Sequence, residues 1–204
     1  AGSGDSMETD YDFSSKVFFE DMKKPFEIGK IAAERAVKRL NPVKCRTGKF
    51  PVIFDKRISK SIAAHISSAV NGSAIANGTS FLKDSIDKKV LNSNINVVDD
   101  PNLSRGFGSS PFDGEGLKKS KLKIIEDGIL KKWLLDLSSS RQLKLQPTGN
   151  AIRGIGSNAY PGPSNFMILP GDEKLEKIIQ DINEGLFITE LIGSSVNMIT
   201  GDYS

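Results

Sequence analysis

Apolar residues recur at helical spacing after Pro25. Ile28, Ala32, Ala36 and Leu40 form one row, and Gly29, Ala33 and Val37 the next. Proline opens such a helix at little cost, because the first-turn N–H has no partner anyway. Asn41-Pro42 ends it, since the residue before a proline is pushed out of the α region. Ahead of this helix, residues 12–20 alternate loosely around Phe13, Val17, Phe18 and Phe19 and read as a strand. Residues 44–49 read as a linker. Phe50-Pro-Val-Ile-Phe54 reads as a short buried strand. A second helix carries Ile58, Ile62, His65, Ile66 and Ala69 on one face and stops at Asn71-Gly72.

Residues 95–98 predict another strand, and residues 99–116, with little periodicity and several Gly and Pro breaks, a long loop. The clearest local signal is Asp127-Gly128 between two apolar runs. That pair supplies the positive φ angles of a type I′ turn, so a β-hairpin is expected. Residues 146–163 are rich in Gly, Asn, Ser and Pro and read as a second long loop. Residues 165–169 predict a strand. Residues 172–184 predict an amphipathic helix with Leu175, Ile178, Ile179 and Ile182 facing the core and Gly185 as its C-terminal cap. A last strand over 186–192 is expected to pack back on the same sheet, buried on both faces. Hairpins mixed with separated helices give an α+β fold rather than a βαβ repeat.

Composition narrows the function classes. The chain has 204 residues, 38% of them hydrophobic and 26% charged, enough for a buried core. Its net charge of +3 is too small for a dedicated nucleic-acid binder. No apolar run approaches the roughly 18–20 residues that span a bilayer. A single Cys excludes an intrachain disulfide, and a single His excludes a multi-histidine metal site within these residues.

The candidate chemistry is sparse. His65 sits on an apolar helix face without a neighbouring carboxylate or second His, so a partly buried, hydrogen-bonded imidazole is favoured over a zinc ligand. Cys45 lies between Lys44 and Arg46, which lower a thiol pKa, but has no paired base. Asp99-Asp100 and Asp113-Gly-Glu115 either bind a cation, act as an acid–base pair, or are solvated or capping groups; their spacing fits no EF-hand and favours the structural role. The lysines of residues 118–123 feed straight into the hairpin without interleaved aromatics, as on the solvent face of a strand. Gly154-Ile-Gly156 is not a dinucleotide fingerprint, because no helix follows it. Asn150 and Arg153, in a glycine-rich loop, either tie that loop to its own domain or orient a peptide.

Five segments, in order, resemble the TldD/PmbA family, often labelled modulators of DNA gyrase. They are Asp99-Asp100-Pro; Ser110-Pro-Phe-Asp-Gly-Glu-Gly116; the hairpin from Glu126 to Asp136; Pro147-Thr-Gly-Asn150 with Arg153 and then Pro163-Ser-Asn165; and Thr200-Gly-Asp-Tyr-Ser204. Gly48-Lys-Phe-Pro-Val-Ile-Phe54 is similar to the PmbA (TldE) branch. The resemblance implies peptide processing by a cytoplasmic two-subunit zinc peptidase. In that family the TldD subunit carries a His-Glu-x-x-x-His helix and a distant Cys. Neither has a counterpart here, which implies a PmbA-type subunit without a metal site or cofactor of its own, the zinc belonging to a TldD-like partner. The partners implied are that subunit or a second copy, and unfolded peptide; no membrane and no nucleic acid are expected. Asn150, Arg153, Asn165, Asp113 and Glu115 are the candidate substrate or partner loop residues. The architecture implied is the end of a middle α/β domain over residues 1–44. A sheet-rich C-terminal domain would follow over 48–204, with both ends truncated. A self-sufficient hydrolase using Asp113 and Glu115 with a bound metal, and a DNA or gyrase interaction module, are the alternatives.

Overall fold

In the computed structural model the described residues are 1–4, 6–193 and 195–203. Ser204, the last residue of the fifth motif, lies outside them. The chain divides into two compact units, Ala1–Lys49 and Phe50 onward.

The first unit begins with a short antiparallel ribbon, β1 (Gly2–Ser3) with β2 (Ser6–Met7). Its helix α1 (Pro25–Lys38) starts on Pro25 as expected, and Asn41, at φ 58°, turns the chain just beyond its end. Residues 12–20 do not form the expected strand. Asp12 instead accepts from Lys23 Nζ at 2.6 Å and Arg35 Nη1 at 3.1 Å, and Lys23 N donates to Ser14 Oγ, so the chain loops back onto α1. Phe13, Val17, Phe18 and Phe19 are all exposed, which leaves no pleated apolar face to bury, and Phe19–Asp21 is a single 3-10 turn.

The second unit is built on a four-stranded antiparallel sheet in the order β6-β5-β4-β9. Its strands are β4 (Val97–Asp99), β5 (Leu122–Glu126), β6 (Ile129–Leu130) and β9 (Phe166–Ile168). The β5–β6 hairpin turns on Asp127 (φ 50°) and Gly128 (φ 76°), as the Asp-Gly pair requires. Against the sheet lies α2 (Lys56–Ala69), capped by Asp55, whose carboxylate accepts from Arg57 N at 2.8 Å. Ala69, Val70, Val97, Leu122, Ile124, Ile125, Leu130 and Leu134 form the core. Burying each large aliphatic side chain contributes about 1.5–3 kcal/mol.

Two helices lack any counterpart in the expected elements. Asn71-Gly72 stops α2 but also starts α3 (Gly72–Ala76), because Asn71 Oδ1 accepts from Ser73 N and Ala74 N. α4 (Leu137–Leu143) is started by a capping box. Asp136 accepts from Ser139 N at 2.8 Å, and Ser139 Oγ accepts from Asp136 N at 3.2 Å. The second long loop contains a small hairpin, β7 (Ala151–Ile152) with β8 (Tyr160–Pro161).

The late elements also depart from expectation. The helix α5 (Leu175–Asp181) is shorter than 172–184, and Leu175 and Ile179 are exposed rather than in the core. Gly185 does not cap it with a positive φ; the chain leaves the helix in extended form at Ile182. β10 (Leu186–Ile188) joins not the main sheet but β3 (Val52–Phe54), in a separate parallel pair with Phe187 opposite Ile53. Val52 and Phe187 are exposed, so neither strand is buried on both faces. The α+β class stands: antiparallel sheet and hairpins with interspersed helices.

Candidate functional site

Residues from the first four motifs converge around the end of β4, whereas Tyr203 of the fifth lies against His65. Asp99 closes that strand with only 1% of its surface exposed. One carboxylate oxygen accepts from Asn150 Nδ2 at 2.8 Å, and the other from Ser164 N at 2.8 Å. Asn150 is itself buried, and its Oδ1 accepts from Thr148 Oγ1 at 2.7 Å. Thr148 Oγ1 in turn accepts from Leu135 N at 2.8 Å, which ties the network to the segment leading into α4. A chain of polar groups thus joins three segments far apart in sequence.

Burial pushes the Asp99 carboxyl above the ordinary carboxylate range. The Asn150 side chain, the Ser164 backbone N–H and the charge of Lys119 pull it back down without cancelling the rise. Its neighbour Asp100 is held below that range by the backbone N–H of Asn102 and by Lys121, whose Nζ lies 3.1 Å away.

Asp113 is buried and fully engaged. One oxygen accepts from Glu115 N at 3.0 Å and Leu117 N at 2.9 Å, the other from Ala151 N at 3.0 Å. Glu115 reaches the start of α4, where its Oε2 accepts from Leu137 N at 2.8 Å. Asn165 bridges the two long loops. Its Oδ1 accepts from Gly108 N, while its Nδ2 donates to Asp100 O and Ser109 Oγ. Gly108 has no room for a Cβ, which would stand 2.1 Å from Ser164 O.

Four of the five expected site residues therefore spend their polar atoms on backbone and side-chain groups of their own unit. Arg153 differs. It is exposed and makes no hydrogen bond or ion pair among the described residues. Thr148 and Ser164 complete the network, yet the sequence marks them only as members of Pro147-Thr-Gly-Asn150 and Pro163-Ser-Asn165. Asn71, whose Nδ2 donates to Pro161 O at 2.7 Å, has no sequence signal beyond its helix-stopping position.

His65 stands apart from this network. It lines an apolar cavity of about 360 Å³ with Phe54, Ile62, Phe81 and Tyr203. Its ring meets Tyr203 edge-on, centroids 5.7 Å apart. The expected hydrogen bond is missing: Nε2 is shielded and unpartnered. No cluster of three or more His, Cys, Asp or Glu that could hold a metal occurs among the described residues. Cys45 is exposed and unpaired. The donors present do not fit a zinc centre, which needs three or four converging ligands. The lysines of the hairpin are ordinary surface partners, Lys121 to Asp100 and Lys123 to Glu126. No helix among the described residues is long and apolar enough to cross a membrane.

Comparison with known proteins agrees with the motif order. Residues 47–204 match the family model described as the PmbA/TldA metallopeptidase C-terminal domain. The chain is 36% identical over 198 residues to metalloprotease PmbA of Escherichia coli O157:H7, covering 97% of this chain and 42% of that protein. Its fold is similar to a crystal structure from Bacteroides thetaiotaomicron labelled a modulator of DNA gyrase. There the TM-score is 0.82 at 27% identity, with 93% of this chain and 41% of the other covered. It is also similar to TldE from Thermococcus kodakarensis, with a TM-score of 0.73 at 27% identity over 85% of this chain and 41% of that one. The chain thus spans about two fifths of the length of these relatives. It belongs to the TldD/PmbA family, with the family's C-terminal domain beginning near residue 47.

Proposed function

We propose that this chain is the PmbA-type part of a cytoplasmic two-subunit peptidase that processes or degrades peptides, with the catalytic zinc in a TldD-like partner. On this reading, residues 1–44 close a middle domain and the remainder completes a peptide-binding cavity. The observation that carries the reading is the donor set. A chain similar to proteins named metalloprotease brings one shielded imidazole and one exposed thiol, with no carboxylates gathered around either among the described residues. A subunit partnership in which the partner holds the metal accounts for that donor set.

The self-sufficient hydrolase is less well supported. A catalytic carboxylate pair must be free to meet metal or water, whereas Asp113 accepts three backbone N–H groups and Glu115 accepts another. Nothing in the arrangement favours a DNA or gyrase module.

The test is reconstitution. The natural full-length subunit and the TldD-like protein of the same organism are purified separately and mixed, then assayed for bound zinc and for cleavage of an unfolded peptide. Zinc in the partner alone, with cleavage requiring both, is the expected result. Cleavage by this subunit alone, lost on chelation, would sink the proposal.

A further inference from the structure

Asn or Asp precedes Gly at four places in the chain: 71–72, 77–78, 113–114 and 127–128. Each pair carries a latent reaction. The glycine nitrogen can attack the side-chain carbonyl carbon of the residue before it, since glycine has no Cβ to hinder the approach and its backbone turns freely. The fold decides which pair is able to react.

Three pairs are locked. At 71–72 the carboxamide is fully engaged: Asn71 Oδ1 accepts from Ser73 N and Ala74 N, and its Nδ2 donates to Pro161 O. Gly72 is buried and its N donates to Leu134 O at 2.8 Å. A Cβ on Gly72 would stand 2.6 Å from that same oxygen, so the peptide has no room to swing. Gly114 N donates to Ala151 O at 2.8 Å and Gly128 N to Ile95 O at 3.0 Å, both partners remote in the chain. These glycines are crowded too, with an added Cβ 2.9 Å from Arg153 Cβ at Gly114 and 2.4 Å from Leu91 O at Gly128. The residues before them are Asp113 and Asp127, and an ionised carboxylate is a poor electrophile.

Asn77-Gly78 is open. Asn77 ends α3, and both residues are exposed. The Asn77 carboxamide makes no hydrogen bond among the described residues. Gly78 N is held only by Ile75 O, three residues back, at 3.0 Å. Gly78 sits at φ 70°, and nothing lies within 4 Å of the place a Cβ would take. A terminal helical turn of this kind frays at little free-energy cost, whereas releasing Gly72 means separating α3 from the segment around Leu134.

We infer that Asn77 is a site of spontaneous deamidation in the folded protein, while the fold protects Asn71. Gly78 N bonds to Asn77 Cγ, the Cγ–Nδ2 bond breaks, and ammonia leaves with the proton that Gly78 N gives up. Water then opens the cyclic imide at either carbonyl, leaving aspartate or isoaspartate. The amide becomes a carboxylate, so the net charge of +3 falls by one. The modification holds whichever subunit carries the zinc.

The experiment incubates the natural full-length subunit in mildly alkaline buffer, folded and in urea. Samples taken over time are digested with trypsin. Both asparagines fall in the fragment 61–83, between Lys60 and Lys83, so tandem mass spectrometry locates the change from amide to acid within one peptide. In the folded protein Asn77 should convert at least about tenfold faster than Asn71, and in urea the two rates should converge. Equal rates in the folded protein would overturn the inference. So would an Asn77 that stays intact while the urea-treated sample converts, which would mean that the turn is closed or covered. A gap that persists in urea would trace to local sequence rather than to the fold, and would overturn it as well.

Discussion

Asn150 and Asp99, 51 residues apart in sequence, meet at 2.8 Å inside the protein, the amide donating and the carboxylate accepting. Ser164 N occupies the other oxygen of Asp99. Two donors on two oxygens leave the site no tolerance for an amide in place of the carboxylate.

Asp99→Asn therefore tests the network directly. Whichever way the new amide turns, its NH2 faces an N–H, and one buried donor pair is left unpaired. The expected loss is about 1–3 kcal/mol. Urea unfolding of both proteins measures it. An unchanged midpoint would mean that the site relaxes and that Asp99 is not the anchor.

Acidification should act oppositely on the neighbours Asp99 and Asp100. The folded-state value of Asp99 is raised above its ordinary 3.8, so between these values the folded state binds the extra proton. Stability from this group rises as pH falls through that window and is lost as pH rises. Asp100 is lowered by Asn102 N–H and Lys121, so its contribution is present above 3.8 and is lost as pH falls through its depressed folded value. The exposure of its partner Lys121 keeps that contribution small. Carbon-13 carboxyl titration should show Asp99 protonating before Asp100 as acid is added. The reverse order would refute the assignment of burial as the dominant cause at Asp99.

Helix α4 depends on its cap. Asp136→Ala removes the acceptor of Ser139 N and leaves Ser139 Oγ without its side-chain partner. A loss of about 1–2 kcal/mol is expected, read from the urea midpoint. Asp136→Asn should recover much of it, since the amide oxygen can still accept.

These elements differ in how far the sequence discloses them. The hairpin at Asp127-Gly128 is legible because its cause is local: two residues with positive φ between apolar runs. The α4 cap is equally local, yet Asp136 just ahead of the helix and Ser139 in its first turn are polar residues of a short serine-rich stretch that resembles loop. Residues 12–20 mislead because a long-range clamp, Asp12 with Lys23 and Arg35, overrides local alternation. The β3–β10 pair is invisible for the same kind of reason, since neither strand carries a turn signal that names its partner. At the site, the motif order names polar residues that the fold ties together. It does not reveal that Asp113, Glu115, Asn150 and Asn165 are satisfied internally. Their partners are largely backbone N–H and C=O groups, which every sequence has and none advertises.

Asn150 and Arg153 form the sharpest contrast, because they share one motif and one glycine-rich segment yet face opposite ways. Asn150 is buried between Asp99, Thr148 and Gly162 O. Asn150→Ala removes a donor from a buried carboxylate and an acceptor from Thr148, so it should cost about 1–3 kcal/mol and lower the melting temperature. Arg153 spends no polar group on its own unit. Arg153→Ala should therefore change stability by no more than about 0.5 kcal/mol, as for an ordinary surface substitution. If the two-subunit proposal holds, Arg153→Ala should still lower peptide turnover in the reconstituted pair, while Asn150→Ala lowers turnover only in step with the folded fraction. Differential scanning calorimetry beside a peptide-cleavage assay separates the two. Equal thermal losses in both variants would mean that Arg153 is one more tie holding the loop, and the functional weight placed on it would fall.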